Sequence, residues 1–235
     1  MILFWTLLLL SMALSFAFSP ITQSILITTR QRQLSHLRLA TTPDFTSTVL
    51  TPWAMDQLDA YADSVGVVLT WSTLGPGYRA VARAAHNESL ILGYVEGFIR
   101  PAGQILHLDK MEIFQPQLKK ARSEAPGCFD FGGVGIGLGV LMGYRCLWHG
   151  QQQGCSIAEF LAIDDEAFQH KRLVRYYQQA GFQIVKYVGD DFRDIPDRMV
   201  WGGCGTLMRE DINLLMAKWT RLLSLMKKRA DRRKG

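Results

Sequence analysis

Several things this chain does not have narrow what it can be. Lysine is absent between Lys120 and Lys171, so the glycine run at 132–139 cannot end in the Gly-Lys-Ser/Thr of a Walker A loop. The four cysteines (Cys128, Cys146, Cys155, Cys204) form no C-x-x-C pair and have no histidine at zinc-ligand spacing. They read as reduced thiols, and no metal site is implied. A basic body is lacking too. The net charge of +5 comes from the run Lys227–Lys234, which carries six basic residues and one acidic residue, with three further arginines near the N-terminus. What lies between is mildly acidic, which argues against a nucleic-acid-binding core but leaves the tail free to meet an anionic partner. There is no internal repeat and no second-domain boundary after residue 45. With 48% hydrophobic and 20% charged residues in 235, the chain is globular and large enough for one good core or two small ones.

Charge is missing altogether from residues 1–29, and acid is missing as far as Pro43. Ile2 to Leu14 is an apolar run of signal-peptide length, followed by the small-x-small pattern Ser15-Phe16-Ala17, so residues 1–17 read as a cleaved signal. The run is short for a membrane span of about 20 residues, which counts against the competing reading of an uncleaved anchor. Residues 18–44 read as a transit-like segment, since Phe18–Pro43 holds three arginines, three serines and five threonines. A signal, a phenylalanine at the new N-terminus and a transit-like stretch together resemble the bipartite leaders of nucleus-encoded plastid proteins in algae with complex plastids. That implies a plastid (chloroplast stroma) protein whose mature form does not span a membrane. Ordinary secretion is the alternative.

What is present centres on Gly132-Gly133-Val134-Gly135-Ile136-Gly137-Leu138-Gly139, which runs into the helically spaced Val140–His149. Glycines let the backbone approach a ligand closely, and free N–H groups at a helix start suit a phosphate. A Rossmann fingerprint is excluded, because the spacing is G-x-G-x-G and Gln153 stands where an acidic residue is needed. A glycine-rich connector with no ligand is the plain alternative.

The folded part is expected to begin near Thr51, with Thr51-Pro52 opening a helix to about Ser64. Gly66–Trp71 reads as a short β-rich run. After the turn at Gly75-Pro76-Gly77, the segments Tyr78–Ala84, Leu90–Arg100 and Gln104–Phe114 read as an antiparallel meander. Residues 115–131 read as a polar loop. After the glycine loop and its helix come a buried strand (Cys155–Ile163), a helix from about Asp165 to Ala180 stopped by Gly181, and a strand at Phe182–Val188. An acidic loop (Gly189–Asp197), a last strand (Met199–Met208) and a helix from Glu210 to Lys228 close the chain. The stripe Ile212, Leu215, Met216, Trp219, Leu222, Leu223 and Met226 keeps helical spacing, so it faces the protein's own core, or else a partner or membrane surface. Lys227–Lys234 is expected to stand free in solvent.

This order of elements, with Leu92-Gly93-Tyr94-Val95-Glu96-Gly97, Leu108–Phe114, the loop Gly133–Gly139, and His170 followed by Tyr177-Gln178-Gln179-Ala180-Gly181-Phe182, resembles the GNAT N-acyltransferase superfamily over roughly residues 52–208. The resemblance implies an α/β (α+β) fold with a mixed central sheet flanked by helices, in a domain spanning 45–208. Residues 209–235 add a C-terminal amphipathic helix and basic tail. It also implies acetyl-CoA or another acyl-CoA as co-substrate, with an amine of a protein or small molecule as acceptor. Main-chain groups of Met111 and Ile113 would meet the pantetheine arm, and Gly133, Val134, Gly135, Ile136, Gly137, Leu138 and Gly139 the phosphates. Tyr177 would protonate the leaving thiolate. Two positions depart from the family pattern. Gly132 stands where the loop carries arginine or glutamine, and His170, at a coenzyme-side position, replaces asparagine.

Acyl transfer needs a polarised carbonyl, a deprotonated amine and an acid for the thiolate. Glu112 and Glu96 are candidate general bases, though each also suits a solvent-facing strand position. Tyr176 lies some 100° from Tyr177 around a helix and reads as a poor substitute for it. Asp190, Asp191, Asp194 and Asp197 could draw in a cationic amine, with Arg193 and Arg198 in partial opposition. Two functions of different class stay open: an acyl-CoA-dependent N-acyltransferase, and a silent GNAT-like module that binds acyl-CoA without turnover.

Overall fold

A computed structural model describes residues 51–234 apart from Ala102 and 133–136. The signal and transit readings therefore lie outside the described residues. The elements are α1 (Met55–Ser64), β1 (Val67–Leu74), β2 (Gly77–Ala84), β3 (Asn87–Ile99), β4 (Ile105–Ile113) and α2 (Gln115–Glu124). They continue with α3 (Gly137–Gln152), β5 (Ile157–Ile163), α4 (Ala167–Ala180), β6 (Gln183–Val188), α5 (Ile195–Trp201), β7 (Gly205–Asp211) and α6 (Ile212–Lys234). The seven strands form one mixed sheet in the order β1-β2-β3-β4-β5-β7-β6, the α/β class with flanking helices that the sequence implied.

β1 and β2 are joined by a two-residue turn, Gly75-Pro76, where Gly75 supplies the positive φ of +58° that such hairpins need. The meander continues through β3 to β4. A parallel pairing with β5 follows, and the crossover between β4 and β5 carries α2 and α3. α3 is buried along most of its length, because the sheet covers one side and α6 and α1 cover the other. The close packing requires glycine. A Cβ on Gly143 would lie 2.6 Å from the Trp219 ring of α6. The α6 stripe predicted from spacing is buried at Ile212, Leu215, Met216, Trp219, Leu223 and Met226, with Leu222 partly covered. Polar ties lock the same layer. The Tyr144 hydroxyl meets Trp53 O and Thr220 Oγ1, each at 3.1 Å, and Trp219 Nε1 donates to Ala180 O at 2.7 Å.

Four expectations are corrected. α1 starts at Met55 behind an Ala54 cap and leaves Thr51-Pro52 outside the helix. The expected loop at 115–131 holds α2, whose first turn takes Pro116 because its missing N–H is not needed there. Met199–Trp201 belong to α5, entered through Pro196, so β7 starts only at Gly205. The basic tail is not free: α6 runs to Lys234, Ala230 is buried, and Arg233 pairs with Asp130 at 3.1 Å.

Candidate active-site cleft

β4 and β5 pair at only three positions, Ile105–His107 against Ile157–Glu159. Beyond them β4 pairs only with β3, and β5 only with β7, so the two strands part. Two features drive them apart. Asp109 is the extra residue of a bulge between Lys110, opposite Glu96, and Leu108, opposite Gly97, and bulges bend a strand and sharpen its twist. On β5, Phe160 carries the Tyr177 ring at 3.7 Å and the Phe182 ring at 4.8 Å, an aromatic wedge beside the gap. The resulting cleft, with a cavity volume of about 70 Å³, is walled by Leu108, Met111, Gly139, Phe160, Tyr176 and Tyr177, and Asp109 also reaches its lining. Main-chain groups of 108–113 that do not pair with β3 border an apolar slot, an arrangement suited to a chain bearing amides.

The motif that ends α4 aims the tyrosines. Gly181, at φ +120°, takes the chain out of the helix, and the N–H groups of Gly181 and Phe182 both reach Tyr177 O at 3.0 Å. Phe182 then turns inward against Tyr177 and Trp219. Tyr176 lines the cleft as Tyr177 does. Residues 100° apart on a helix serve two walls of one slot when the slot wraps the helix, and the Tyr176 hydroxyl lies 3.7 Å from where a Cβ on Gly139 would stand. Burial pushes the Tyr177 phenol up, and burial plus the neighbouring Tyr177 pushes Tyr176 up to about 12. Both are therefore protonated at neutral pH, as a proton donor must be.

Of the predicted phosphate loop, Gly133, Val134, Gly135 and Ile136 lie outside the described residues, whereas Gly137, Leu138 and Gly139 open α3 and are buried. Glycine at 132, where the resemblance led us to expect arginine or glutamine, has a steric reason. It sits at φ +63°, and a Cβ there would come within 2.8 Å of Met226 O and 2.9 Å of Arg229 Cβ. An arginine or glutamine cannot stand at 132 while α6 is packed there, and α6 brings Arg229 to the same place. Met111 and Ile113 face α3, with Met111 Sδ and Ile113 Cδ1 3.4 and 3.5 Å from the Cβ position of Gly139.

Glu112 alternates to the opposite face of the sheet, away from the cleft. It accepts from the Tyr94 hydroxyl at 3.1 Å and pairs with Lys110 at 3.4 Å, with its side chain 45% exposed. Glu96 pairs with Arg79 at 3.1 Å. His170 does not line the cleft either. It spans Thr206 Oγ1 (2.9 Å from Nε2) and Asp164 Oδ2 (3.3 Å from Nδ1) at the end of the sheet. The acidic loop answers its own charge: Lys186 pairs with Asp194 at 2.9 Å and Asp197 at 2.6 Å, Arg198 pairs with Asp190 at 3.2 Å, and Asp191 accepts from Arg193 N at 3.0 Å.

One cluster escaped the sequence reading. Glu159 and His107, register partners across β4 and β5, are fully buried, on the sheet face opposite α3. Glu159 accepts from Arg100 at 2.9 Å and Arg209 at 2.7 Å, and its Oε1 lies 3.3 Å from His107 Nδ1. Burial alone would raise this carboxyl, but hydrogen bonds from His107 and Arg209 and the charges of Arg100 and Arg209 hold it below the usual range. The imidazole is stacked between Phe98 at 4.2 Å and Trp201 at 3.8 Å. Its only trace in the sequence is one acid, Glu159, inside an otherwise apolar strand.

Among the described residues no group of three or more His, Cys, Asp or Glu is placed to hold a metal ion. No described helix is long and apolar enough to cross a membrane. Neither a family model nor a curated protein matches the sequence. Likeness is found to solved structures. An acetyltransferase of the GNAT family from Staphylococcus aureus Mu50 shares 14% identity at a TM-score of 0.38, over 58% of this chain and 68% of that one. Nourseothricin acetyltransferase shares 11% at 0.39, over 65% and 94%. Ard1 from Thermoplasma volcanium shares 11% at 0.37, over 70% and 84%.

Proposed function

We propose that this chain is an acyl-CoA-dependent N-acyltransferase that moves an acetyl group from acetyl-CoA to an amine of a protein or small molecule. The observation that carries the reading is the parting of β4 from β5 after three paired positions, which opens a slot of free strand edge beside two protonated tyrosines. The residues fit such a substrate. Main-chain groups near Met111 and Ile113 would take the amides of the pantetheine arm, and the start of α3 would favour its phosphates. Tyr177, with its ring fixed against Phe160 and its hydroxyl without a protein partner among the described residues, is the acid for the departing thiolate. Plastid residence belongs to the same proposal and rests on the composition of residues 1–44.

A module that binds acyl-CoA without turnover is the alternative, and one variant separates the two. Tyr177→Phe keeps the ring packing and removes the proton. An enzyme should lose about 100-fold or more in turnover while CoA affinity stays unchanged. Thiol release from acetyl-CoA, read beside calorimetric CoA binding, measures both. Failure of the wild-type protein to bind CoA would end the reading.

A further inference from the structure

We propose that Asp109, the bulged residue of β4, is the general base that takes the proton of the incoming amine and hands it to the buried imidazole of His107, which Glu159 orients. This rests on the acyltransferase reading and assigns to its cleft a base that neither Glu112 nor Glu96 can supply from the far face of the sheet.

The bulge is what brings Asp109 into play. The extra residue in β4 shifts the alternation of the strand, so that Leu108 and Met111 face the cleft while His107 and Glu112 point to the other side, and Asp109 and Lys110, at the bulge, both reach the edge of the cleft. Asp109 stands at the change of face. It reaches the lining of the cleft, its side chain is 29% exposed, and its Oδ1 is 3.9 Å from His107 Nε2. That separation exceeds a hydrogen bond and is closed by a side-chain torsion or one bridging water.

His107 is built to receive a proton. An ionised carboxylate only accepts, so the Nδ1 that faces Glu159 Oε1 carries the hydrogen of the neutral ring and Nε2 carries the lone pair. Nε2 is fully buried and has no hydrogen-bond partner among the described residues, and the same holds for Trp201 Nε1 in the ring stacked on it. The charged groups that face the imidazole are Glu159 at Nδ1 and Asp109 at Nε2, with Arg100 and Arg209 behind Glu159. An imidazolium formed there lies between two carboxylates and against the rings of Phe98 and Trp201.

The step balances. The amine enters as R–NH₃⁺; one N–H bond breaks and an O–H bond forms on Asp109, which frees the nitrogen lone pair for the thioester carbonyl. The proton then passes to Nε2 and restores the carboxylate; once product has left, it returns through the partly exposed Asp109 to solvent, so that His107 is neutral again for the next turnover. The departing thiolate takes the tyrosine proton as the C–S bond breaks. The second proton lost by the nitrogen, as it becomes an amide, restores the phenol. His107 and Glu159 act through Asp109 and are positioning residues.

The test has two arms. In ¹⁵N-histidine NMR on the whole protein, His107 is expected as the Nδ1–H tautomer, and Asp109→Asn should move its Nε2 resonance, because the carboxylate beside that lone pair is gone. An Nε2–H tautomer, or an Nε2 resonance indifferent to Asp109→Asn, overturns the proposal. In turnover of acetyl-CoA with a panel of primary amines, Asp109→Asn should cost about 100-fold or more in kcat/KM at neutral pH. That loss should shrink as rising pH deprotonates the amine, with CoA affinity kept throughout. Undiminished turnover, or a loss that does not change with pH, overturns it as well. Because Asp109 lies at the cleft edge, its variant stays informative even where His107→Gln does not fold. A wild-type protein that binds no CoA counts against the acyltransferase reading itself. CoA binding with the wrong tautomer counts against the proton path alone.

Discussion

Putting arginine at position 132 should harm this protein. Gly132→Arg would place a side chain on a residue at φ +63°, a left-handed conformation that costs an L-residue about 1–2 kcal/mol. It would also drive a Cβ to 2.8 Å from Met226 O and 2.9 Å from Arg229 Cβ. The first of these is backbone in the middle of α6 and cannot swing aside, so overpacking adds about 1–3 kcal/mol. The total, about 2–5 kcal/mol, corresponds to a fall in Tm of roughly 4–20 °C for a domain of this size. Calorimetric melting of the variant beside wild type reads it directly, and CoA titration should show no gain in affinity. A companion change, Arg229→Ala, should rescue little, because the nearer obstacle is a carbonyl. If Gly132→Arg melts with wild type and binds CoA more tightly, then α6 does not press on this turn and the steric explanation of the glycine fails.

Three further outcomes follow. Trp219→Ala should cost about 3–5 kcal/mol in denaturant unfolding, since it empties a buried site against Gly143 and deletes the bond to Ala180 O; a loss below about 1 kcal/mol would mean that α6 is not part of the core. Glu159 has a depressed folded pKa, so its contribution is fully present above the ordinary carboxylate value near 4.5 and is lost as pH falls through the folded value. Wild type should therefore lose Tm steeply on acidification below about pH 4.5, whereas Glu159→Gln, about 3 kcal/mol less stable at neutral pH because Arg100 and Arg209 lose their partner, should show a shallower acid slope; equal slopes would contradict this. Residues 1–50 fused to a fluorescent protein should reach the plastid of an alga with complex plastids, and secretion or retention in the endoplasmic reticulum would overturn the leader reading.

Local chemistry was readable where it decided the structure. The Gly75-Pro76 turn, the stop at Gly181 and the α6 stripe all stand where spacing and residue type put them, because each is governed by neighbours within a few positions. Long-range relations were not readable. Position 132 must be glycine because of Met226 and Arg229, almost a hundred residues later, and no feature near 132 records that. Helical angle separates Tyr176 from Tyr177 but does not tell that both line the cleft. α5 was missed because Met199, Val200 and Trp201 suit a strand by propensity, and the Pro196 turn that makes them helical also carries Trp201 over His107. The His107–Glu159 pair depends on the register of two strands joined through α2 and α3, so neither residue carries a local signature. Glu112 looked like a base by its position on β4, and only the side on which it emerges removes it from the cleft.

Acyl-CoA is expected to lie along the free edge of β4 where that strand leaves β5. Hydrogen exchange of the individual amides of residues 108–113, followed by NMR with and without acetyl-CoA, tests it most directly. Those amides that do not pair with β3 should exchange fast in the free protein and become protected in the complex, together with the start of α3. Acetyl-CoA binding that leaves 108–113 unchanged and protects some other surface would contradict the account.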